Sequence, residues 1–179
     1  MGRGEACEER SLAMAGDQTN LRVLNPSRKA PKPGDVFRLQ LTEGCYHFGR
    51  VIRTDARWTR AAGARPAILI YIYRYTSEAA DLPPRDELRP GRLLVSPIMT
   101  NGLAWSRGYF DTVKNVPLDA DDVPSPHCFS DASVSGGYFD EMSNPLSGPI
   151  EPVGDYGLHS FRTIDDEISG ALGIPKASG

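Results

Sequence analysis

Residues 33–52, PGDVFRLQLTEGCYHFGRVI, decide the fold of this chain. Phe37, Leu39 and Leu41 alternate with polar residues, and a period of two places alternate side chains on opposite faces of a β-strand. The TEG segment that follows is short and contains a glycine, as a tight hairpin loop with one left-handed position requires. The stretch therefore predicts two antiparallel strands that open a curled sheet.

The return strand of this hairpin, residues 45–52, contains an interruption. Tyr46 and Phe48 can join the apolar face of the first strand, which leaves His47 on the exposed face. Gly49 then breaks the alternation, and a glycine inside a strand usually marks a bulge or a close approach of another backbone. We expect a bent hairpin of this kind in a small barrel or a curled sheet.

Further strands are predicted along the rest of the chain. Residues 67–75, AILIYIYRY, are apolar on both faces and should lie in the interior of the sheet. Shorter strands are predicted at residues 93–99, 109–113, 137–141 and 156–161. Pro97 has no N–H to give to a ladder, so the first of these should lie at an edge or a bulge.

One helix closes the chain. Thr163 is a good N-cap, and Gly173 followed by a proline ends the helix. Ile164 and Ile168 lie on one face and would dock on the sheet. Strands followed by a terminal helix indicate an α+β domain that is mostly β, with a curled antiparallel sheet or a small, partly open barrel and the C-terminal helix packed on it.

Length and composition fit one domain. The chain has 179 residues, of which 40% are hydrophobic and 24% charged, as in ordinary soluble proteins. We expect residues 1–30 to form a loose leader and residues 31–179 a single domain, with residues 21–24 as a short strand or an anchoring contact. Met14 is an alternative start to Met1. No secretory signal and no apolar run of about 20 residues is present, so we expect neither export nor a membrane span.

The sequence contains no pattern that indicates a catalytic or metal site. Its three cysteines are widely spaced and its three histidines have no partner at ligand spacing. His127 and Cys128 are neighbours, whose side chains point apart in a strand or loop, so they should not form a nucleophile pair. No glycine-rich phosphate loop is present. We therefore predict no catalytic residue, no cofactor, no metal and no enzymatic activity.

Charge is distributed unevenly along the chain. Residues 108–179 hold three basic and twelve acidic residues, although the net charge of the whole chain is only −3. Such an acidic half is either a solvated surface or a docking surface for a basic partner, which it would attract and select. The second interpretation predicts partner contacts at six acidic residues: Asp119, Asp121, Asp122, Asp131, Asp140 and Glu141.

The N-terminal half contains the opposite feature, an arginine-rich stretch at residues 50–65. With Trp58 nearby, it could contact phosphates and stack on bases, as in a small β-barrel-like nucleic-acid-binding module. However, the sequence pI is near 5.6, whereas nucleic-acid-binding domains are usually basic. The favoured interpretation is a solvated loop paired in part with the acidic half. The arginines concerned are Arg50, Arg53, Arg57, Arg60 and Arg65.

Five segments resemble the immunity protein 26 family of bacterial polymorphic-toxin systems. They are KPGDVFRLQLTEGCYHFGRVI, AILIYIYRY, GLAW, YFDTVKNVPL and VGDYGLHSFRTIDDEISGALG, and the likeness extends over residues 31–175. The GDVF opening and the GRV of the return strand are the most specific parts.

The resemblance implies a non-enzymatic antidote in the cytoplasm of a bacterium. Such a protein binds the toxin domain encoded beside it and blocks its activity, protecting the producing cell. The family supplies no catalytic residues to carry over, and its toxin contacts vary with the partner. An acidic surface suits a basic nuclease as that partner.

Overall fold

A computed structural model describes residues 18–124 and 126–178. Its larger sheet has five antiparallel strands in the order β4-β3-β2-β1-β5. Glu43 and Gly44 connect the first two strands, and Gly44 has the predicted left-handed φ of 75°. The strands are β1 (Asp35–Thr42), β2 (Cys45–Ala56), β3 (Ala67–Ser77), β4 (Ile98–Thr100) and β5 (Asp111–Asn115).

The second sheet is built from the acidic half and has the order β8-β7-β6-β9. Its pairs are antiparallel except for β6 with β9, which run parallel. Neither sheet closes into a barrel among the described residues, and the predicted α+β class with mostly β structure is confirmed. The strands are β6 (Cys128–Ser130), β7 (Tyr138–Phe139), β8 (Pro145–Leu146) and β9 (Val153–Asp155), and the helices are α1 (Leu103–Ser106) and α2 (Phe161–Leu172).

The larger sheet separates two hydrophobic cores. Ile70 and Ile72 of β3 pack in the core that contains α1 and α2, whereas Leu69 and Tyr71 pack in the core on the other face. Apolar residues on both faces of a strand are expected where both faces are covered. The predicted interior position of this strand, between β2 and β4, is confirmed.

The return strand differs from its prediction in two respects, the face on which Phe48 lies and the burial of His47. His47 lies opposite Leu39, and Phe48 lies opposite Arg38. Phe48 therefore packs in the core away from Phe37, while His47 is 5% exposed instead of facing solvent. Burial lowers the pKa of this histidine. The prediction failed because both faces of β2 are covered, so alternation does not distinguish a core face from a solvent face.

Gly49 lies where another side chain and a neighbouring backbone approach closely, as its position within a strand predicted. It pairs with Phe37, and the end of the Phe37 ring occupies the space that a Cβ of residue 49 would need. A Cβ at this position would also lie 2.6 Å from the carbonyl oxygen of Tyr71. Only a glycine leaves room for this ring between the two strands.

Helix α2 begins three residues earlier than predicted. Its N-cap is Ser160, whose Oγ accepts a hydrogen bond from the backbone N–H of Thr163 at 3.3 Å. The earlier start brings Phe161 against Tyr109, with 5.0 Å between ring centroids. Ile164 and Ile168 are fully buried, as predicted, and Gly173 ends the helix in the left-handed conformation.

The short strands are displaced from their predicted positions. The predicted strand at residues 93–99 begins only at Ile98, directly after Pro97, and lies at the sheet edge. The strand predicted at residues 156–161 is replaced by β9, which ends before it, and by a single bridge between His159 and Thr100. Such short elements depend on distant partners, which local pattern does not specify.

Asn20 and Leu21 are hydrogen-bonded to α2 through their backbone. The Asp165 carboxylate accepts backbone hydrogen bonds from Asn20 at 3.0 Å and Leu21 at 2.8 Å, and Leu21 is 4% exposed in the core. Arg22 N–H donates to the Gln40 carbonyl at 2.8 Å. An anchoring contact at residues 21–24 is thus confirmed.

The division of the chain at residue 30 into a leader and a domain stays a prediction. Residues 1–17, which include the alternative start at Met14, lie outside the described residues.

Within the described ranges, every helix is too short or too polar to cross a bilayer.

Candidate partner-binding region

A buried ion cluster holds the start of the acidic half. Asp122 ends a 3-10 turn, Ala120–Asp122, and is fully buried. Three guanidinium groups surround its carboxylate: Arg50 at 3.2 Å, Arg85 at 3.2 Å and Arg89 at 3.1 Å. A buried carboxylate needs such partners, because desolvation of an unpaired charge costs several kcal/mol.

Arg50 joins this cluster to the larger sheet. Its side chain is fully buried on β2, and its Nη2 donates to the backbone carbonyls of Val116 at 2.7 Å and Pro117 at 2.9 Å. Arg50 thus binds both the backbone that follows β5 and the carboxylate of Asp122. The 3-10 turn with Asp122 is held rigidly against the sheet.

A second buried network contains Glu141. Its Oε2 accepts the backbone N–H of His127 at 3.0 Å and lies 3.3 Å from that ring's Nδ1. The other ring nitrogen of His127 lies 2.6 Å from the Tyr71 hydroxyl, and Arg53 is 3.5 Å from Glu141 Oε1. Burial raises the pKa of Glu141, but hydrogen bonds with His127 more than offset this and lower the pKa to about 2. The ionised carboxylate ties the second sheet to β2 and β3.

The remaining four predicted contact residues are not enclosed in this way. The Asp119 side chain is 51% exposed and pairs with Arg85, and Asp121 is exposed. Asp131 and Asp140 are half-buried at the surface and accept backbone hydrogen bonds, from Ser133 in the first case and from Met142 and Asn144 in the second. Hydrogen bonds from Ser133 lower the pKa of Asp131. These four carboxylates are at least partly accessible to solvent.

The second sheet places two of these carboxylates at opposite ends. Because β6 and β9 run parallel with Ser130 opposite Asp155, Asp131 and Asp155 lie at the same end. Asp140 follows β7 and lies at the other end, beside the start of β6. The structure therefore brings together Asp119, Asp121 and Asp122 in one turn, but it separates Asp131 from Asp140 and Glu141.

Two arginines of the arginine-rich stretch pair with carboxylates of the acidic half, and a third contacts one of its aromatic rings. Arg50 is buried with Asp122, and Arg53 pairs with Asp55 at 2.7 Å and with Glu141. The Arg60 guanidinium lies 4.8 Å from the centroid of the Phe139 ring on β7. Pairing in part with the acidic half is therefore confirmed, and Arg50 cannot reach a nucleic acid. Arg57, Trp58, Arg60 and Arg65 line a surface groove of about 540 Å³.

The buried Tyr71–His127–Glu141 network was missed by sequence reasoning. Its three members come from three separate segments, and no local motif links them. Cys128 beside it is 1% exposed. The His127 ring is directed at Tyr71 and Glu141, in keeping with the prediction that it forms no pair with the neighbouring thiol.

Comparison with known proteins gives a family match. The family model described as immunity protein 26 matches residues 32–140. This range takes in the whole five-stranded sheet, the Asp122 cluster and strands β6 and β7. No curated protein and no solved structure matches the chain.

Proposed function

The chain belongs to the immunity protein 26 family, and on that basis we propose that it binds a cognate toxin domain and blocks its activity in the bacterial cytoplasm. The binding is stoichiometric and involves no chemistry. The single observation that carries this proposal is the family match, which extends over the larger sheet and the buried Asp122 cluster.

The positions of the acidic residues support two separate roles. Asp122 and Glu141 are 0% and 8% exposed, so they stabilise the scaffold instead of contacting a partner. Asp119, Asp121, Asp131 and Asp140 retain accessible carboxylates, and we assign the toxin contacts to these four. Accessible carboxylates attract a basic partner, such as a nuclease domain, and raise its association rate.

Co-expression with the toxin encoded beside it tests the proposal. We expect the chain to restore growth of cells that produce the toxin, and the two proteins to co-purify in a one-to-one complex. An unrelated toxin domain of similar charge serves as the control and should be neither bound nor neutralised. Growth rescue without a complex would contradict inhibition by binding, and failure of both would overturn the proposed function.

Neutralising the exposed acids tests the contact region separately. Replacing Asp119, Asp121 and Asp131 with asparagine should slow association with a basic toxin on the order of tenfold at low salt and flatten its salt dependence, because steering falls with the charge of the surface. The matched control replaces three exposed acids of the other half, Glu43→Gln, Glu78→Gln and Asp81→Asn. Stopped-flow kinetics measure both sets. Equal association rates for the two variants would contradict the assignment while leaving toxin binding intact.

A further inference from the structure

We propose that Asp155, His159 and Glu167 form a binding site for one divalent transition-metal ion of the Zn²⁺ type. The inference does not depend on the proposed toxin binding and concerns the surface where the end of β9 meets α2. One nitrogen and two carboxylate donors converge there from β9, from the loop that follows it and from the helix.

The donor atoms are close enough to share an ion. One ligand atom of each residue lies within 4.8 Å of the others, and His159 Nδ1 is 2.9 Å from Glu167 Oε1. Zinc lies about 2.0–2.2 Å from nitrogen and oxygen ligands, so donors around a tetrahedral ion are roughly 3.4 Å apart. The His159–Glu167 distance is somewhat shorter than that value, and the remaining separations do not exceed 4.8 Å. Small movements of the two carboxylates would bring all three donors into place.

His159 is the rigid member of the set. Its backbone N–H donates to the Met99 carbonyl at 2.8 Å, and its own carbonyl accepts from Thr100 Oγ1 at 2.8 Å. The side chain is 9% exposed, and within the described residues Nδ1 has no well-aligned hydrogen bond despite its short distance to Glu167. Its near neighbour is the carboxylate of Glu167, another proposed ligand, so an ion bound between the two side chains would replace this imperfect contact.

The two carboxylates are the adjustable members. Asp155 ends β9 and is exposed, and the Glu167 side chain on α2 is 29% exposed. Both line an open groove of about 350 Å³, with Pro97 and Val153 on its walls, so an ion can enter from solvent. A fixed imidazole with movable carboxylates allows the donors to close around an incoming ion.

The donor set favours a transition metal over magnesium. Imidazole suits Zn²⁺ and its neighbours, whereas Mg²⁺ takes oxygen ligands and keeps most of its water. Three protein ligands leave a fourth position of a tetrahedral ion for water or another donor. The competing account is a simple ion pair between His159 and Glu167, which would need no metal.

Titration of the full, untagged chain with ZnCl₂ tests the site. We expect calorimetry to show one saturable ion per chain, and MgCl₂ to give no comparable binding at the same concentration. Asp155→Asn and Glu167→Gln should each weaken zinc binding at least tenfold. Asp166→Asn, on the same helix but paired with Lys176, should bind within twofold of the original chain.

Cobalt substitution identifies the ligands when other cysteines or histidines also bind metal. Co²⁺ should give a visible absorption band that is lost in the Asp155→Asn, Glu167→Gln double variant, while circular dichroism shows that the double variant stays folded. Zinc and cobalt binding that persists unchanged in that variant would place the ion elsewhere and overturn the proposal. Absence of saturable binding would also overturn it, leaving an ion pair only.

Discussion

Replacing Asp122 with asparagine should lower the free energy of unfolding by about 3–5 kcal/mol, the usual cost of removing one partner from a buried ion pair. The carboxylate is fully buried among Arg50, Arg85 and Arg89. An amide would leave the buried Arg50 charge without its counter-charge, and Arg50 cannot turn to water because its side chain is also fully buried. Urea unfolding followed by circular dichroism measures the effect.

Asp121 provides the matched control for this substitution. It precedes Asp122 in the same 3-10 turn but is exposed, so Asp121→Asn should change the free energy of unfolding by less than about 0.5 kcal/mol. The two variants have the same change of charge and differ only in burial. Equal stabilities would show that the arginine cluster does not hold the acidic half against the sheet.

Replacing Gly49 with alanine should destabilise the protein by about 3 kcal/mol, at the upper end of the range for an overpacked core. The added methyl group would lie 2.6 Å from the Tyr71 carbonyl oxygen and closer still to the Phe37 ring. Neither neighbour can move easily. The first is backbone in β3, and the ring packs against Trp105 and Phe110 with centroid distances of 5.2 and 4.5 Å. Urea unfolding again measures the difference.

Gly148→Ala separates this packing effect from the general effect of removing a glycine. No atom lies within 4 Å of the position that its Cβ would occupy, and its backbone is not left-handed. Alanine there should be neutral or stabilise by up to about 1 kcal/mol through the lower entropy of the unfolded chain. A Gly49→Ala variant as stable as Gly148→Ala would mean that the ring and strand do not approach as closely as described.

Much of the larger sheet could be predicted from local pattern. The hairpin at residues 33–52 follows from alternation and a glycine turn, and the interior position of β3 follows from its apolar residues on both faces. The end of α2 at Gly173 can also be predicted from the residue type, because a left-handed C-cap favours glycine. The exposure of His47 was predicted wrongly because alternation reveals two faces without saying whether both are covered.

The candidate site was less predictable. The six acidic residues follow from a count of charges, and such a count contains no information about which carboxylates form ion pairs. Asp122 and Asp121 are adjacent and chemically identical, yet one is buried among three arginines and the other is exposed. Asp155, His159 and Glu167 come from a strand, a loop and a helix, and a bridge to Thr100 holds His159 beside β4.

Strand periods, glycine positions, the excess of negative charge and the resemblance to the immunity family can all be seen in the amino-acid sequence alone. These are local or compositional properties, set by the steric and hydrogen-bonding preferences of neighbouring residues. Which carboxylates are enclosed by arginine and which face solvent depends on the folded arrangement of the chain. Burial depends on the contacts of segments far apart in the chain, and the energy of a charge depends on its surroundings far more than on its place in the sequence.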